Sequence, residues 1–315
     1  MLFSKQITVV AGLATYVSAH GMVVSMNGAN GVTMPGLTVA DGTPRDCSSN
    51  GCGSQADTAI IRDSEISSGK AGPLGRTQGN GPVDAAVMIA SFMGSGAGAA
   101  PPTNNGASGS VGVEDNIQNA GGAGAKRQLL GGLLGGLGGG NAAGGGGATG
   151  IGGLLGGGGT KAEGAPETRV AASAGEGASA GLPTAGDDGS ISMTFRQINQ
   201  DGAGPFEASV DGTSGGTDAS AFQDATVTKD VPGLGVQGIS LATSTEFEMV
   251  VQMPAGMTCD ATVGGATNVC VARVRNGAAA GPFGGSVAFT QSNASRKRAI
   301  AYRLKKRMEI GNFHN

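Results

Sequence analysis

Between residues 121 and 164, 22 of 44 residues are glycine. Ordering backbone costs about 1–2 kcal/mol per residue, and glycine lies at the high end. The apolar content there is chiefly Leu129, Leu130, Leu133, Leu134, Leu137, Leu154 and Leu155, too little to offset that cost. Residues 93–182 are therefore expected to form a low-complexity, disordered insertion. The glycines follow no Gly-X-Y period, which excludes collagen. Any packed core must be assembled from the two sides, 20–92 and 183–292, with a basic tail at 293–315.

The flanks read as strands. Met22-Val23-Val24 is a first short apolar segment. After Ser190 come Ile191–Ile198, Phe206–Val210, Ala225–Thr228, Glu246–Gln252, Val269–Val274 and Ser286–Thr290. Asp-Gly, Gly-Gly and Pro-Gly turns separate them, as in an all-β sandwich of Ig-like or fibronectin-like type with long loops. Ile60-Ile61 and Val87-Met88-Ile89 are too short for periodicity to tell strand from helix.

The N-terminus has the order of a secretion signal. Lys5 gives a positive start, Ile7–Val17 an apolar run, and Val17-Ser18-Ala19 small residues at a cut. The run is shorter than the roughly 20 apolar residues that span a bilayer, and no later stretch qualifies. Cleavage after Ala19 would make His20 the first residue. Its free amine and ring Nδ1 would then offer a metal two nitrogens from one residue. The other histidine, His314, is the penultimate residue of the sequence.

Four cysteines, Cys47, Cys52, Cys259 and Cys270, in a secreted chain read as two disulfides with three pairings open. Cys259 and Cys270 flank Gly264-Gly265, so a stapled hairpin is the simplest arrangement, with Cys47–Cys52 closing a tight loop. Residues 293–315 carry a net charge of +6, and with Lys5 set aside residues 20–292 carry −10. An acidic body gives no electrostatic footing for nucleic acid. In the tail, Ile300, Ala301, Leu304 and Met308 stand at helical spacing among basic residues, which suits either an amphipathic helix on an anionic surface or a solvated tail. Asn293-Ala294-Ser295 is a sequon, marking Asn293 as a candidate surface glycan.

Five blocks occur together: DGTPRDC (41–47), GCGSQADTAIIRD (51–63), GRTQGNGPVDAAVMI (75–89), DGAGPF (201–206) and AGPFGG (280–285). In this set and order the chain resembles the fungal appressorium-associated secreted virulence factors of the Egh and MAS type. The resemblance implies a secreted, extracellular protein of a fungal pathogen. It also implies further cysteines at Ala208 and Ser286, where this chain has none, and so one disulfide fewer. More distantly, a mature N-terminal histidine on a secreted β-sandwich is similar to the lytic polysaccharide monooxygenases. That similarity implies copper as cofactor, His20 as one arm of a two-histidine brace and Phe283 as the axial neighbour. The second arm falls on Gly79, before Gly81-Pro82-Val83, so the brace is incomplete unless Asp57 or Asp84 completes it. The absence of Trp also weakens a flat polysaccharide-binding face.

The favoured expectation is a virulence protein acting without catalysis at the fungal surface or host interface, where cell wall or polysaccharide is the partner and His20 a candidate copper ligand. One alternative is a copper-dependent polysaccharide oxidase. The other is an adhesive or cell-wall structural protein built on the glycine-leucine segment.

Overall fold

A computed structural model describes residues 20–48, 53–96, 100–104, 159–161, 165–200, 202–235, 238–278 and 280–312. The expected signal at 1–19, Cys52, His314 and most of the glycine-rich segment lie outside the described residues. Within them the expectation of an all-β architecture holds. The first half gives β1 (Gly21–Asn27), β2 (Thr33–Pro35), β3 (Ala59–Ile60), β4 (Arg76–Thr77) and β5 (Gly81–Pro82), with helices α1 (Asp63–Ser67) and α2 (Ala85–Met93). The second half adds β6 (Thr160–Lys161), α3 (Arg169–Ala172), α4 (Gly177–Ala180), β7 (Thr184–Ala185), β8 (Ser190–Gln197), β9 (Phe206–Asp211) and β10 (Phe222–Lys229). It ends with β11 (Thr245–Gln252), β12 (Ala261–Val263), β13 (Ala266–Asn276), β14 (Phe283–Gln291) and α5 (Asn293–Asn312).

The hydrogen-bonded order is β2-β1-β8-β11-β10-β9-β13-β14-β3-β4-β5. β10 pairs with β11 on one side and β9 on the other, so the path folds over there into two layers. The alternation that marks β8 and β11 as strands now has its cause. Ile191, Met193 and Phe195 of β8 and Phe247, Met249 and Val251 of β11 point inward against Val210, Ala272, Val274, Val287 and Phe289 of the other layer. The far edges also close up. Gly36 N donates to Val24 O and Leu37 N to Ser286 O, each at 2.9 Å, bringing β1 beside β14. Gly285 permits this approach, because a Cβ there would sit 2.8 Å from Val23 N.

A second apolar layer covers the outside of β1, β13 and β14. Met22, Val24, Val271 and Ala288 are buried there under Leu37, Val39, Met88, Ile89, Phe92, Val170 and Leu182. The ambiguous run at 87–89 is helical because Asp84 caps it, accepting from Ala86 N at 2.9 Å, and Gly94 ends it at φ +64. Val170, Leu182 and the short helices α3 and α4 belong to this layer, so packed structure is already present from Glu167, ahead of the expected boundary at 183. Their Ala, Gly and Ser content hid them. Residues 41–43 are held from both flanks of the glycine-rich segment: Asn104 N donates to Asp41 O (2.7 Å), Gly42 N to Glu167 O and Glu167 N to Thr43 O (both 2.8 Å).

The Cys259–Cys270 disulfide staples the β12–β13 hairpin as expected, with Cα atoms 4.8 Å apart. Cys47 is also disulfide-bonded. Ala208 faces the inter-layer core, whereas Ser286 neighbours the inward-facing Val287 in β14 and so faces out. β9 and β14 flank β13 on opposite sides, which puts the two positions about 9–10 Å apart. Cysteines at these two places could not bond each other across that span.

Candidate functional site

One end of the sandwich is built around His20. The residue leads into β1, and its carbonyl accepts from Ile198 N at 2.9 Å and Asn199 N at 3.4 Å. Its backbone N donates to Asn199 Oδ1 at 2.7 Å. Gly202 lets the backbone approach this point closely, since a Cβ there would lie 2.2 Å from His20 O. His20 is fully buried in the uncut chain. Its ring lies 4.4 Å from that of Phe283, tilted by 32°. The structure thus brings together the two residues paired by the sequence reading.

Phe283 is set by its own loop. Asn276 Oδ1 accepts from Ala278 N (3.2 Å) and Phe283 N (3.1 Å), while its Nδ2 donates to Ala203 O (3.2 Å). One amide therefore ties Ala278 and Phe283 to Ala203. Each side of this tie carries a cis Gly–Pro bond, at Gly204-Pro205 and Gly281-Pro282. From outside, Arg62 donates to Ala280 O (2.5 Å) and Gly281 O (3.0 Å). Glu65 fixes Arg62 at 3.1 Å and Arg76 at 2.7 Å. Burial alone would raise the Glu65 pKa, but the bonds and charges of Arg76 and Arg62 hold it below the ordinary value.

The two acidic candidates do other work. Asp57 is fully buried and paired with Arg45 at 2.7 Å, and it also accepts from Ala40 N. Asp84 caps α2. Gly79 N donates to Ala56 O at 3.0 Å, and a Cβ at Gly79 would itself lie 3.0 Å from that oxygen. Among the described residues no three of His, Cys, Asp or Glu gather as a metal-holding group. Asn293 is exposed at the start of α5, and its sequon partner Ser295 is buried.

Sequence reasoning missed the charged cluster beside this end. Arg45 bridges Asp57 and Glu167, the latter at 3.0 Å. Arg196, fully buried on β8, donates to the Arg45 carbonyl and lies 4.0 Å from Glu246. Burial, then the like charge of Arg45, lowers the Arg196 pKa to about 10. Burial would raise the Glu167 pKa, but Arg45 and Arg169 outweigh it and hold it down. The signal available was Arg45 and Asp57 standing in two of the five blocks; Glu167 had none.

These features define a class: an acidic β-sandwich whose first strand follows a histidine roofed by two Gly-Pro loops. Comparison with known proteins places it more narrowly. The chain belongs to the Egh16-like virulence factor family, whose model matches residues 18–284. It is 51% identical over 307 residues to the appressoria-specific virulence factor GAS2 of Pyricularia oryzae, covering 98% of this chain and 95% of that one. It is 37% identical over 129 residues to the appressoria-specific virulence factor GAS1 of the same fungus, covering 40% of this chain and 50% of that one. No solved structure matches.

Proposed function

We propose that the chain is a secreted virulence-associated protein of a fungal infection structure, acting by binding at the fungal surface or host interface rather than by turnover. Family membership and the relatives' names support the virulence role. The observation that carries the binding reading is the state of the His20 end. Its would-be partners are committed to structural bonds: Asp57 to Arg45 and Asp84 to α2. The residues present do not fit a two-histidine copper brace, since Gly79 stands at the second arm and its neighbour Ala56 leaves little room there. N-terminal sequencing of the secreted protein is expected to begin at His20. Incubation with chitin and glucans, copper and peroxide is expected to release no more product than His20→Ala does. Robust cleavage that depends on His20 overturns the reading.

A second reading, copper capture without turnover, is favoured by the His20–Phe283 contact alone. A cut before His20 would free an amine beside the ring, giving a two-nitrogen chelate. Tetragonal Cu(II) prefers more N or O ligands, so binding is expected to be weak. Both nitrogens must be deprotonated, with ordinary pKa values near 7.7–8 and 6.5, so affinity should fall below about pH 6–7. Calorimetric titration of Cu(II) checks this. Affinity unchanged by one extra residue before His20 would place the metal elsewhere.

A further inference from the structure

α5 lies beyond the region matched by the family model and is attached to the sandwich along one side only. Ser295 and Ala299 are buried beneath it. Arg296 donates to Cys259 O and pairs with Asp260, both at 2.7 Å, and Arg303 donates to Gly256 O at 2.5 Å and to Thr258. Hollows of about 460 and 530 Å³ flank the line of contact, so the helix rests on a narrow ridge. From Ile300 to Glu309 every residue is exposed.

The exposed side is ordered. At 3.6 residues per turn, Ile300, Leu304 and Met308 fall on one stripe that continues the line of Lys297; Ile300 lies beside the docked Arg296 and Arg303, and Leu304 and Met308 lie about a quarter turn or more from all the docked residues. They are 44%, 54% and 65% exposed. Arg307 borders the stripe on one side, and Arg298 and Lys305 on the other. The segment carries +6 against −10 for the body. A cationic face alone would suit nucleic acid, but that would leave three large apolar side chains in water. An anionic bilayer satisfies both parts, taking the stripe into the headgroup–acyl boundary while phosphates and serine carboxylates meet the flanking cations. The acidic body is repelled from the same surface, so only α5 approaches it.

We propose that α5 is a docking element for anionic membrane surfaces. The test is flotation of the purified secreted protein, its ends fixed by mass spectrometry, with vesicles of phosphatidylcholine alone or with 30% phosphatidylserine. The phosphatidylserine vesicles are expected to bind at least tenfold more protein, with the excess falling as salt is raised. Leu304→Ser with Met308→Ser should cut binding at least tenfold, and Lys305→Ser with Arg307→Ser should do the same. Neither pair should move the thermal midpoint, because all four side chains are exposed. Equal binding to both vesicles overturns the proposal, as does a secreted form lacking α5. So does a serine pair at 304 and 308 that binds like the parent, or DNA that competes off the bound protein while the apolar stripe proves dispensable.

Discussion

At the scale of residues, the two buried arginines behave oppositely. Arg45 neutralises two buried carboxylates, so Arg45→Met leaves Asp57 without its cation and Glu167 with Arg169 alone; we expect a loss of about 3–5 kcal/mol in denaturant unfolding. Arg196 is charged in folded and unfolded chains at neutral pH, yet the fold disfavours its charge, which is why its pKa falls to about 10. It therefore costs stability at pH 7, and Arg196→Met should be neutral or stabilising by about 1–4 kcal/mol in the same assay. Glu167 has the other sign. Its native pKa is depressed, so its contribution is full above the ordinary value of about 4.3 and is lost as pH falls through the lower native one. Glu167→Gln should lower the thermal midpoint at pH 6, and the gap to the parent should narrow toward pH 2–3.

Among the elements, legibility followed burial. β8 and β11 bury alternate residues over most of their length, so their period of two was plain in the sequence. β14 is buried on both faces through Phe289, and its glycines gave only a short apolar segment. In α2 eight of nine residues are apolar, which erases a helical stripe; its identity lay in the Asp84 and Gly94 caps. α3 and α4 are too short and too rich in Ala and Gly to announce themselves. At the site, His20 and Phe283 were legible because each sits in or beside a distinctive local pattern, whereas Asn276 and Glu65 act through backbone and ion-pair geometry that no spacing encodes. Phe92 is nearly fully buried at the junction of α2 and α4. Phe92→Ala should cost about 3–5 kcal/mol in chemical unfolding, and less if α4 collapses into the space. Removing the Cys259–Cys270 staple by double alanine substitution should cost about 3 kcal/mol on the chain-entropy account.

For the whole molecule, β14 sets the layout. It begins at Phe283 beside His20 and ends at Gln291, from which α5 follows. Nine strand residues span about 30 Å, so the roofed histidine and the basic helix stand at opposite ends. A protein held by α5 would therefore present the His20 end outward. The grip on residues 41–43 has a separate consequence. β1 lies between β8 and β14, both supplied from beyond the glycine-rich segment. A chain nicked once between 105 and 158, by a protease whose recognition site has been introduced there, should run as two bands on a denaturing gel yet elute as a single particle. The described disulfide lies wholly within the second fragment, so the first would be retained by strand pairing, apolar packing and the buried Arg45–Glu167 bridge. Each fragment alone would expose half of a shared interior, and neither should refold until mixed with the other.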